Sequence, residues 1–66
     1  MDKLSILLEK LIPGQLKEFH KDVINNMYDR HWCKEHELNY SEITYSQVAW
    51  TYYKELQKDI VLNSSH

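Results

Sequence analysis

The sequence predicts an all-α fold: a short N-terminal helix followed by a long antiparallel helical hairpin, in one small domain. Three observations lead there. Apolar residues recur at helical spacing in three stretches. A single glycine in 66 residues is too few for a turn-rich, all-β chain. The only proline and the only glycine adjoin as Pro13-Gly14, which marks the strongest break in the chain.

The first helix is expected over about residues 2–12. Asp2 can cap it, and Leu4, Leu7, Leu8 and Leu11 fall on one face at i, i+3, i+4 and i+7. Ile12 precedes proline, which biases it away from helical ψ and ends or kinks the helix. The second helix is expected over about residues 15–37, with Leu16, Phe19, Val23 and Met27 in one stripe that Ile24 widens. Lys17, Glu18, Lys21 and Asp22 read as its solvated side, and Asn25-Asn26 lowers propensity without stopping it. Leu38 anchors the loop that follows, where Asn39 and Ser41 suit turn and cap roles. Either Ser41 or Thr44 starts the third helix, expected over about residues 43–62, and Thr44-Tyr45-Ser46-Gln47 fits the capping-box pattern T-x-x-Q. Its main stripe is Tyr45, Ala49, Tyr52, Tyr53, Leu56 and Ile60. The β-rich Ile43-Thr44-Tyr45 has no second strand to pair with, and the tail 63–66 is expected to fray. A second copy of the chain would complete such a hairpin as a homodimeric bundle.

Composition narrows the function classes. With 42% apolar residues the chain is not a disorder candidate, and one domain is all that its length allows. Eight basic residues against ten acidic ones give no electrostatic reason to expect nucleic acid or a membrane as partner. No apolar run approaches a membrane span, and the amphipathic, acid-bearing start is unlike a signal peptide. Cys33 is the sole cysteine, so an internal disulfide is out and a reducing, cytoplasmic setting is expected.

Several residues fall off the expected core. Ile43, Trp50 and Val61 lie more than about 80° from the centre of the third stripe, and Trp32 lies nearly opposite Leu16 and Val23. Two such tryptophans mark either a partner-binding surface, with Trp50, Trp32, Ile43 and Tyr52 as its anchors, or a side covered by the first helix or by a second copy. The five tyrosines read as amphipathic packing residues rather than catalytic phenols. No metal is expected: Cys33 and His36 share a helix face, but His31 points away from Cys33, and His20 and His66 are distant. Cys33 beside His31 or His36 lacks a glycine-rich oxyanion turn, and no cofactor motif is present.

Val23-Ile24, Met27-Tyr28, the charged run Lys34-Glu35-His36-Glu37-Leu38-Asn39 and Ser46-Gln47 follow one another in an order with a parallel. From Met27 onward it resembles the small aspartyl-phosphate phosphatases of sporulation response regulators, short helical hairpins whose second helix opens on Ser-Gln-Glu-Leu-Asp. Here Val48-Ala49-Trp50 stands where that family has Glu-Leu-Asp, so its acid is missing. The resemblance implies a hairpin and, were the activity present, Gln47 as the amide that orients the attacking water, with Ser46 beside it. A capping role for Gln47 accounts for the same residues without an enzyme.

The function expected is therefore that of a small helical regulator, of the inhibitor or adaptor type found in bacteria, phages or plasmids, which binds and modulates a protein partner such as a bacterial signalling protein. The alternatives are the phosphatase and a self-assembling structural bundle.

Overall fold

The computed structural model describes residues 3–64, with side chains through Asp59. The fold is all-α: α1 Lys3–Lys10, α2 Pro13–Met27, α3 Arg30–Glu35 and α4 Tyr45–Ser64, with no strand among the described residues. The expected cap at Asp2 and the side chains of Ile60 and Val61 lie outside them. So do Ser65 and His66; Asn63 and Ser64 belong to α4 rather than to a frayed tail.

Pro13 opens α2 rather than breaking its approach, since its missing N–H is one that the first helical turn would leave unpaired anyway. Ile12 precedes it in extended conformation (φ −71°, ψ 155°), and its carbonyl accepts the Leu16 N–H at 2.9 Å. A corner of two residues thus separates α1 from α2.

The single helix expected over 15–37 is two helices. Asp29 explains the break: its backbone is extended, and its carboxylate accepts the Trp32 N–H at 3.1 Å, capping α3. At the other end, α3 closes in a Schellman turn, where the Leu38 N–H donates to the Cys33 carbonyl (2.8 Å) and the Glu37 N–H to that of Lys34 (3.1 Å). Glu37 carries the left-handed backbone this turn requires, with φ 57°. In the following loop Asn39 Oδ1 accepts from the Ser41 backbone N–H at 3.2 Å and its hydroxyl at 2.8 Å. The helix then starts from Thr44 as its cap, through the box that T-x-x-Q predicts. Gln47 N–H reaches Thr44 Oγ1 at 3.4 Å, and Thr44 N–H reaches Gln47 Oε1 at 3.0 Å.

The core gathers Leu7, Phe19, Val23, Val48 and Ala49 from α1, α2 and α4. Leu4 and Leu8 of α1, with Leu11 just after it, pack against it half-buried, so α1 turns its three leucines toward α4, the helix that also packs on α2. Val48, fully buried, is the core residue missing from the expected stripe. The wide aromatics define that stripe, and Val48 sits on its flank, about 60° from Tyr45. No helix among the described residues is long and apolar enough to cross a membrane.

Candidate functional site: an acid-rimmed groove between α2 and α4

Where α2 meets the second half of α4, the surface opens into a groove of about 590 Å³. Its floor continues the core outward. Phe19 and Tyr52 meet at 5.6 Å between ring centres with a 55° tilt, and Leu56 and Leu11 flank them. Tyr52, Leu56 and Asp59 follow at i, i+4 and i+7, one face of α4. Gly14 lines the groove at the start of α2, and a Cβ placed there would meet no atom within 4 Å.

The rim is acidic. Glu18 and Asp22, one turn apart on α2, and Asp59 on α4 supply three carboxylates. Asp22 accepts the Tyr52 hydroxyl at 3.0 Å. Burial, that hydrogen bond and the negative charges of Asp22 and Glu55 push the Tyr52 phenol up to about 12, so it stays a neutral donor. Among the described residues, none that lines the groove carries a thiol, an imidazole or an aliphatic hydroxyl. What it offers a ligand is apolar area and negative charge.

Of the four expected anchor residues, Tyr52 lies in this groove and the others lie elsewhere. Trp32 is half-buried against the core instead of opposite it, because the break at Tyr28-Asp29 turns α3 out of the phase of α2. Its indole stacks on His36 at 4.3 Å with the planes 26° apart. Ile43 also packs on the core from the loop before α4. Trp50 is half-buried beside Tyr53, 5.4 Å between ring centres, with the Lys3 ammonium of α1 over its face at 4.9 Å. The first helix therefore reaches across the Trp50 side.

Gln47 and Ser46 are exposed at the start of α4. Gln47 Oε1 is engaged by Thr44, and the Ser46 and Thr44 hydroxyls lie 3.2 Å apart. Cys33 is fully buried where α2 meets α3, its Sγ–H directed at the Asn26 carbonyl at 3.4 Å. Burial, and then the charge of Asp29, raise its pKa and hold it as the unreactive thiol. Among the described residues no three of His, Cys, Asp and Glu converge on a point that suits a metal ion.

Periodicity alone misses the groove. Glu18 and Asp22 read as solvated charge, and Gly14 reads only as a break. The available signal was the four-residue spacing of the two acids beside the Phe19 stripe. Compared with known proteins, the chain matches no family model, no curated sequence and no solved structure. Fold and site together define a class: a small all-α protein with an open, acid-rimmed apolar groove between two of its helices.

Proposed function

We propose that the chain is a small helical regulatory protein of the inhibitor or adaptor type, which binds and modulates a protein partner. One observation carries this reading: the half-buried Tyr52, Leu56 and Leu11, packed against the core with Phe19 beneath, line an open groove on the outside of a 66-residue protein. Apolar surface left open between two helices is the kind of site that takes a helix of another protein. In this reading α2 and α4 are the arms of a hairpin, and the groove between them is the docking face. The setting is cytoplasmic, in keeping with one buried, free thiol.

Gly14 provides the test. Nothing stands within 4 Å of its would-be Cβ, so a side chain can be added at this groove-lining position without a clash at Cβ, and replacing a helical glycine gains propensity; Gly14→Trp is expected to obstruct the groove. The expected outcome is native helicity by circular dichroism, together with loss of a partner that the wild-type chain captures from lysate. Trp50→Ala, on the side that α1 covers, keeps that partner. If Gly14→Trp folds and captures the same proteins as the wild type, the groove is not the docking face.

A further inference from the structure

We infer that the occupant of the α2–α4 groove is a basic amphipathic helix, its apolar face on Phe19, Tyr52 and Leu56 and its lysines or arginines against Glu18, Asp22 and Asp59. The inference rests on the docking role proposed above and adds the chemistry of the partner.

The argument is one of charge. Among the described residues, all three ionisable side chains on the groove's rim, the Tyr52 phenol aside, are acids, and no base lines it. This sets it apart from the neighbouring grooves: the one over Leu8 and Tyr45 carries Lys17 and His20, and the one beside His36 carries Lys58. Glu18 and Asp59 form no ion pair among the described residues, so both stand open to an incoming cation. Asp22 is half-buried and fixed by the Tyr52 hydroxyl through Oδ2, which leaves its other oxygen as an oriented acceptor. An acidic helix would bring like charges onto this rim, and a fully apolar one would leave the carboxylates to lose water without a partner. Basic residues flanking an apolar stripe match both surfaces at once. The groove also runs between two helices, so a third helix packs there as in a bundle, with anchors at i, i+3/i+4 and i+7.

The experiment uses three helical peptides that share one leucine stripe and carry lysine, glutamine or glutamate at the flanking positions. Each is titrated into the full chain and followed by amide NMR. The lysine peptide is expected to bind tightest, to shift Gly14, Phe19 and Leu56, and to weaken as salt rises. The double variant Glu18→Gln/Asp59→Asn should bind it about fivefold more weakly and leave the glutamine peptide unaffected. Equal binding of all three peptides in the groove would overturn the charge assignment and leave the docking role standing. Binding at another face, or none by any peptide, would overturn both. Groove shifts that grow with protein concentration in the absence of peptide would make a second copy of the chain the occupant and likewise overturn the inference.

Discussion

His36 is held between two acceptors. Its Nδ1 lies 2.8 Å from the Trp32 carbonyl, and its Nε2 meets the Glu55 carboxylate. A neutral imidazole has one N–H and can serve only one of them, whereas the imidazolium serves both. The bond to the Trp32 carbonyl is the strongest influence raising its pKa; burial opposes it, and Glu55 and then Glu35 add to the rise. A folded-state pKa above the unfolded value near 6.5 means that the stabilisation is complete below about pH 6.5 and is lost as pH rises through the folded value. The urea midpoint should therefore be higher at pH 6 than at pH 8, and His36→Gln should flatten that difference. A midpoint insensitive to pH in the wild type would mean that the contact with Glu55 does not persist in solution.

At the scale of the element, two helix ends make opposite predictions. Thr44 and Gln47 satisfy each other's N–H groups, so Thr44→Ala should destabilise the protein by about 1 kcal/mol in a denaturant melt. Glu37 holds a left-handed conformation that a β-carbon disfavours, so Glu37→Gly should stabilise by roughly 0.5–1 kcal/mol. The same ends show how much is legible in the sequence. Capping chemistry is local and spans four residues, so T-x-x-Q offers Thr44 beside Ser41 as the start of α4, and the Thr44–Gln47 hydrogen bonds decide for Thr44. The division of 15–37 is equally local, in Asp29 ahead of Arg30-His31-Trp32, but α3 is only six residues long and its change of phase is lost in a longer periodic window. That one missed cap misplaces Trp32. The groove is hidden for a different reason: it depends on how α2 and α4 pack, which no pattern within either helix specifies. Tyr52 is found because aromatics stand out in any stripe, whereas Glu18 and Asp22 look like any solvated acids until a second helix is set beside them.

For the whole molecule the smallness of the core matters most. Among the described residues, five from three helices form its buried cluster, and the radius of gyration, 12.4 Å, exceeds the roughly 11 Å of a compact chain this long. The 20 residues of α4 span about 30 Å and account for much of the 36 Å longest dimension. A protein with so little buried gains disproportionately from anything laid along its open side. A groove-binding peptide at 100 times its Kd adds about 2.7 kcal/mol to the folded state. In a domain of this size that should raise Tm by more than about 10 °C, read by circular dichroism. The gain should vanish in Gly14→Trp while the unliganded Tm stays at or above that of the wild type.

The seal around Cys33 has a use of its own. The chain carries one thiol, lodged where α2 hands over to α3, and it touches solvent only when that junction parts. A thiol reagent added to the native protein thus acts as a stopwatch for a single event, with no label or second cysteine to introduce. Where reclosing outruns the reagent, the labelling rate divided by that of a free thiol gives the fraction of time the junction is parted, and so its opening free energy. An opening free energy equal to that of complete unfolding would mean that α3 leaves only when everything else does. A smaller one would mean that α3 and the His36–Glu55 contact detach as a unit while α1, α2 and α4 stay assembled.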